Sequence, residues 1–248
     1  MSKIPSIALI PSGYKASKLY SVLPTNGDGD FTTTRASIAT RVNENGLLEE
    51  VASNVPRLDY SDGGCPSLLL EPTATNLITY SEDFSNASWS KGPTIITPNS
   101  AISPDGTLNA SLWSHSGGSF PQLSLPGITF VGGANYTPSL YVKSDGTSQV
   151  QHSLLVNNVV VNFTPTNEWV RISDLIVSPD TSGSFVIAQN SSSAVSASFY
   201  IWGASLEQNS HATSYIKTVG SPQTRTADTA SGSGNSTVIN SSEGVLYF

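Results

Sequence analysis

The sequence predicts an all-β protein: a jelly-roll β-sandwich preceded by an extended, irregular N-terminal arm and followed by a short, linker-like tail. Three observations predict it. Apolar and polar residues alternate over short stretches, which is the period of a half-buried strand. Turn signals separate those stretches at the spacing of a sandwich. Finally, 65 of the 248 residues are Ser or Thr and only 12% are charged, a composition poor in the Ala, Glu, Lys, Leu and Arg that long helices need.

The arm covers residues 1–75. Short apolar pieces (7–10, 19–23 and 68–70) lie among Gly, Pro and Asp, without the periodic stripe of a self-sufficient domain. Asn26-Gly27-Asp28-Gly29-Asp30 has turn chemistry, because Gly and Asx tolerate positive φ. Its alternating oxygen side chains resemble the start of a calcium loop. The twelfth position is Ser37 rather than Glu, and the flanks are not helical in character, so a turn is expected. An arm of this kind orders by packing on something else, and Ile7, Ile10, Leu19, Val22 and Leu23 are the residues expected to be buried between chains.

The sandwich covers 76–217. In the stretch 136–143, Tyr136, Pro138, Leu140 and Val142 fall on one face and Thr137, Ser139, Tyr141 and Lys143 on the other. Val150, His152, Leu154 and Val156 repeat the device. Tyr200, Trp202, Ala204 and Leu206 form a third such face, with Phe199 and Ile201 opposite. Further strands are expected at 94–97, 110–113, 159–163, 169–177 and 185–188. Residues 218–248 form the tail: Ser231-Gly232-Ser233-Gly234-Asn235-Ser236 has linker chemistry, and 243–248 opens like a strand.

Several function classes are excluded or disfavoured. No apolar run approaches the ~20 residues of a membrane-spanning helix. The net charge is −7 with no basic run, which argues against a nucleic-acid surface. Cys65 is the single cysteine, so neither an intrachain disulfide nor a Cys-based zinc site is available. No P-loop, Gly-x-Ser-x-Gly or His-Glu-x-x-His occurs, and the protein is read as non-enzymatic, with a glycan-binding adhesin of host recognition as the alternative and a polysaccharide depolymerase as the less favoured one.

Sugar-binding sandwiches stack pyranose faces on open aromatic rings, whose faces carry negative charge density. Trp113, with neighbouring His115 and a Gly-rich loop, and Tyr141, on the polar face of its strand, are the candidates. Trp169 and Trp202 are assigned to packing, and His152 to a half-buried strand position. No cofactor is expected. A structural calcium at the sandwich edge would draw on Glu82, Asp83 and Glu207.

Many short pieces, in order, resemble one family. Arg35-Ala36-Ser37 and Ala39-Thr40-Arg41-Val42 are followed by Asn54-Val55-Pro56-Arg57-Leu58-Asp59-Tyr60. Leu69-Leu70-Glu71-Pro72, Thr75-Asn76-Leu77 and Tyr200-Ile201-Trp202-Gly203-Ala204 come next, and then Thr224-Arg225-Thr226-Ala227-Asp228. Together they are similar to bacteriophage fibre and spike proteins of heads and tails. The resemblance spans most of 18–230 and implies a protein of the virion surface, homotrimeric, attached through its arm to other virion proteins. It also implies a sandwich like that of carbohydrate-binding modules, turned toward surface or glycan. Family members often continue into a lectin domain opening on a Gly-x-Leu-Tyr strand, which Gly244-Val245-Leu246-Tyr247 resembles. The resemblance transfers no catalytic residue, nucleic-acid contact or membrane insertion.

Overall fold

The structure is a computed structural model that describes residues 7–147, 150–189 and 191–236. The expected strand at 243–248 and the side chain of Ile10 lie outside the described residues. In chain order the strands are β1 (Ala8–Lys15), β2 (Lys18–Leu23), β3 (Phe31–Thr34), β4 (Ala39–Val42), β5 (Leu48–Val51), β6 (Arg57–Asp59) and β7 (Ser67–Leu69). There follow β8 (Ala74–Asn76), β9 (Ser90–Lys91), β10 (Ile95–Ile102), β11 (Leu108–His115), β12 (Gln122–Thr129), β13 (Asn135–Ser144) and β14 (His152–Val156). The last are β15 (Val159–Phe163), β16 (Val170–Ser173), β17 (Ile176–Val177), β18 (Ser182–Ala188), β19 (Ala197–Glu207), β20 (Gln223–Arg225) and β21 (Thr229–Ser231). The chain divides into two compact units, Met1–Thr73 with Arg225–Phe248, and Ala74–Thr224.

In the first unit β1, β2, β3 and β21 form one antiparallel sheet, and β4/β5 and β6/β7 are two-stranded pairs. Leu19 is buried within the chain itself, Ile7 and Leu23 are partly buried, and Val22 is 47% exposed. With so few apolar residues, this unit is held by a buried ionic network. Asp228 accepts from Arg35 (2.9 Å) and from Arg57, while Glu71 pairs with Arg57 (2.8 Å) and Arg225. The Arg35 guanidinium also donates to the carbonyls of Val51 (3.1 Å) and Ala52 (2.6 Å). These three Arg, Glu71 and Asp228 belong to the short sequence pieces singled out above, and here they build this network. A buried charge is stable only when paired and hydrogen-bonded, and they supply one another's partners. The turn at 26–30 closes on itself, with Asp30 bonded to Lys18 (2.8 Å) and the Ser21 N–H (2.8 Å).

The second unit is a β-sandwich. One sheet has the order β10-β11-β19-β13-β16, with β17 beside β13; the other has the order β15-β14-β18-β12-β9. Between β11 and β19 the chain passes repeatedly from one sheet to the other, as in a jelly roll. Trp113, Leu140, Val142, Phe199 and Ile201 from the first sheet meet Leu123, Leu125, Leu154, Phe185 and Ile187 from the second, each at most 4% exposed. Each such side chain contributes roughly 1.5–3 kcal/mol by leaving water. The face of 136, 140 and 142 is inward as expected.

The face expected for 200–206 is corrected by a bulge. Between Ser139 and Tyr141 on β13, the partner strand advances from Ser205 to Trp202, one residue too many. Gly203 absorbs the extra residue at φ +64, where a Cβ would stand 3.1 Å from the Tyr141 ring. Parity therefore switches at Gly203. Phe199, Ile201, Ala204 and Leu206 all enter the core, and Trp202 packs outside it against Tyr141 (5.5 Å) and Tyr215 (4.7 Å).

Candidate functional site

Alternation in β14 and β15 decides what the outer face of the second sheet presents. His152, Leu154 and Val156 point into the core, so Ser153 and Leu155 point out. Val160 and Asn162 do the same on β15. Register sets Asn162 opposite Ser153, Ser153 opposite Ala188, and Ala188 opposite Gln122. A neighbouring row runs Val160, Leu155, Val186, Ser124. The outer face is a band of hydroxyls and amides beside a band of aliphatics.

Against this face Gln189 and residues 191–195 form a wall, leaving an open groove of about 380 Å³. Its hydrogen-bonding groups are Gln151, Ser153, Asn162, Gln189, Ser191 and Ser193, and its apolar surface comes from Val150, Val160, Ala194 and Val195. Ser153 Oγ donates to Asn162 Oδ1 (2.8 Å), which fixes that amide plane in the floor. Gln189 is 7% exposed, and its Oε1 is buried with no hydrogen-bond partner among the described residues. A buried acceptor left unmatched costs roughly 1–3 kcal/mol. Among the described residues no Asp, Glu, Lys, Arg, His or Cys lines the groove.

The wall is tied to the loop 116–121. Gly118 and Ala194 exchange both backbone bonds (2.9 and 2.8 Å), Phe120 N donates to Ser191 O (2.9 Å), and Gln189 N donates to Pro121 O (3.2 Å). Gly117 permits the approach, since a Cβ there would stand 2.7 Å from Ala194 O at a backbone φ of +93.

The candidates expected from sequence lie elsewhere. Trp113 is fully buried, packed on His115 (4.9 Å), His152 (5.3 Å) and Phe199 (5.0 Å). It has no open face for a sugar, because register with Phe199 places it on the inward side of β11. His115 is buried beside it and accepts from Gly117 N at Nδ1 (3.0 Å), and burial pushes its pKa below 6.5. Tyr141 is on the outer face of the same sheet, half-buried between Trp202, Tyr215 and the Arg171 guanidinium, 5.5 Å from its ring centre. Trp113 and Tyr141 are thus on opposite faces of one sheet and share no site.

The calcium expectation is likewise corrected. Glu207 is fully buried, and accepts from the Thr213 N–H (3.2 Å) and hydroxyl (2.5 Å) and from Asn209 (3.4 Å). Glu82 binds Tyr215 (3.0 Å) and Lys217 (2.9 Å), while Asp83 is exposed and held by Ser85 (2.6 Å). Each carboxylate is occupied by its own neighbours. Among the described residues no three His, Cys, Asp or Glu side chains come together to hold a metal.

Sequence reasoning missed the groove residues. The signal available was the outward parity of Ser153 and Asn162 within strands whose inward faces are apolar; the Ser-rich 191–193 stretch reads only as a loop.

No protein-family model matches the chain, and no curated protein sequence matches it. Among solved structures it is similar to the CBM22-1-GH10 modules of Clostridium thermocellum endo-1,4-beta-D-xylanase 10B complexed with xylohexaose. The identity is 15%, over 59% of this chain and 30% of that one, with a TM-score of 0.39. It is also similar to the C-terminal family 22 carbohydrate-binding module of the same organism's Xyn10B (14% identity, 56% and 96% covered, TM-score 0.42). A family 16 carbohydrate-binding module gives 21% identity, 46% and 84% covered, and a TM-score of 0.33. The chain spans 30% of the xylanase modules and 26% of an arabinose-bound α-L-arabinofuranosidase. The fold assignment rests on the strand pairing above.

Proposed function

We propose that this chain is a non-enzymatic glycan-binding protein whose site is the groove between the outer face of β14/β15 and the wall of Gln189 and residues 191–195. The observation that carries the reading is the groove's chemistry among the described residues: hydroxyls, amides and aliphatic patches, with no ionisable side chain. A charged ligand would leave water for a groove that offers no counter-charge, which is costly. A neutral polyol exchanges water hydrogen bonds for Ser, Asn and Gln groups and lays its C–H surface on Val160 and Val195. Such a pattern of a few polar groups on an apolar ground is typical of small-molecule sites.

The test is calorimetric and NMR titration with neutral oligosaccharides (xylohexaose, cellohexaose, laminarihexaose) and with oligogalacturonate as a charged control. At least one neutral sugar is expected to bind. Asn162→Ala and Gln189→Leu should each weaken it about tenfold, the scale of one hydrogen bond. If no neutral sugar shifts a groove resonance at millimolar concentration, the reading fails.

The phage-like pieces favour a second element of the proposal: a place on the virion surface, as head fibre, head decoration or tail fibre. In it the first unit attaches to capsid or tail proteins and the chain is a homotrimer that presents the glycan site. The arginine and acid positions of those pieces build the first unit's ionic core, so the resemblance extends to residues with a physical task. Light scattering of the purified protein tests the trimer, and a monomeric mass would remove it. Fitting the chain to images of the intact particle tests the location.

A further inference from the structure

We infer that the first unit carries a second binding site, a socket that takes a Lys or Arg side chain of a partner protein. The socket is a cavity of about 270 Å³ at the β4/β5 hairpin. Leu58 (2% exposed), Tyr14 and Tyr60 supply its apolar lining, and Arg41, Glu44 and Glu49 its charges.

The occupant follows from which of these groups the protein has already paired. Arg41 and Glu49 face each other in register on β4 and β5. Glu49 Oε1 accepts from Arg41 Nε (2.7 Å) and stands 2.6 Å from Nη2, and the Tyr14 hydroxyl is a further partner of the guanidinium. Asn43 donates to Glu49 Oε2 (3.2 Å), and its Oδ1 accepts from the N–H groups of Asn45 (2.9 Å) and Leu47 (3.1 Å). These bonds fix the hairpin turn that carries Glu44. Glu44 is exposed and has no ion pair or hydrogen bond among the described residues. The cavity's cation is therefore neutralised from within, while one carboxylate, which when ionised only accepts, is left over. An anion would meet net negative charge here. A cation is drawn by Glu44 and by the chain's overall charge of −7. A side chain with an apolar stem and a charged head fits both parts of the lining, its stem on Leu58 and its head toward Glu44; tyrosines favour such cations as well. That the stem belongs to a protein rests on the reading of the first unit as the one that attaches to virion proteins.

The test is NMR titration of the purified chain with N-acetyl-lysine methylamide and N-acetyl-arginine methylamide, on wild type and Glu44→Gln. The matching norleucine derivative, acetate and spermidine are the controls. Glu44 lies on the surface of a turn, so Glu44→Gln should fold as wild type does. Both cationic derivatives should shift the amide resonances of residues 41–49, 58 and 60 at millimolar concentration. Glu44→Gln should weaken them about fivefold, the upper end for an exposed ion pair, and high salt should act in the same direction. No shift with either cation, equal shifts with the norleucine derivative or acetate, or unchanged affinity in Glu44→Gln would overturn the inference. Spermidine binding far more tightly than both derivatives would overturn it too, since the occupant would then be a free polyamine. The isolated protein is titrated without sugar or particle, so failure of the glycan or virion reading alone would leave these shifts in place.

Discussion

Acidification from pH 7 to pH 4 should cost the sandwich about 3 kcal/mol through one imidazole. His152 is 1% exposed, wedged between Phe199 (4.5 Å), Trp113 (5.3 Å) and Phe163 (5.9 Å). Its Nδ1 lies 2.8 Å from Val150 O, which makes Nδ1 the protonated nitrogen and leaves Nε2 buried without a partner among the described residues. Burial is the largest influence and lowers its pKa from 6.5 to about 4; the Val150 carbonyl opposes this and nearby His115 adds to it. The folded pKa lies below the unfolded one, so the unfolded chain takes up the proton first. Stability is therefore complete above pH 6.5 and is lost as pH falls from there through about 4, below which the loss is constant. At about 1.4 kcal/mol per tenfold change in proton affinity, the full loss is about 3 kcal/mol, of which about 2 is gone by pH 5. Asp30, Asp83, Asp105 and Asp145 also have lowered pKa values. They start from 3.8, so they act below this window. The assay is urea unfolding followed by tryptophan fluorescence at pH 7, 6 and 5, on wild type and His152→Phe. The variant should lose most of the pH dependence, and what remains belongs to His115, shifted in the same direction by burial. A wild-type stability that is flat from pH 6.5 to 5, or a folded-state NMR titration of His152 near 6.5, would refute the reasoning.

Three other outcomes are expected. Gly203→Ala should cost roughly 1–3 kcal/mol by chemical denaturation, because the added Cβ meets Tyr141 at 3.1 Å and Tyr215 at 3.4 Å in a left-handed backbone. Asp228→Ala leaves the buried guanidiniums of Arg35 and Arg57 short of a carboxylate. It should cost about 3–5 kcal/mol, read as lost hydrogen-exchange protection over residues 31–71. Trp113→Ala should destabilise by about 3–5 kcal/mol. Whatever sugar affinity Trp113→Ala loses should return under conditions that restore the fold, since the ring lines no groove.

How legible each part was depends on whether a bulge intervened. The run 136–143 keeps strict alternation against its neighbours, and its inward residues could be read directly. β12 was not anticipated because Pro126 and Gly127 break its pattern; the register slips between Pro126 and Ile128, with Gly127 at φ +77. After that slip Leu123, Leu125 and Ile128 still share the core, a parity that linear reading loses. Trp113 failed as a binding candidate for a related reason. His115 and the Gly-rich loop beside it suggest an open ring, yet pairing with Phe199 turns it inward.

The amino-acid order by itself determined the all-β class, the two-layered middle and the scarcity of charge, because those follow from local periodicity and composition. Tertiary pairing alone decided which side chains meet. The groove assembles Ser153, Asn162 and Gln189 from three strand ends, and the ionic core joins Arg35 to Asp228 across 193 positions. Such long-range partnerships depend on register and bulge placement, and a one-residue slip reverses every face downstream.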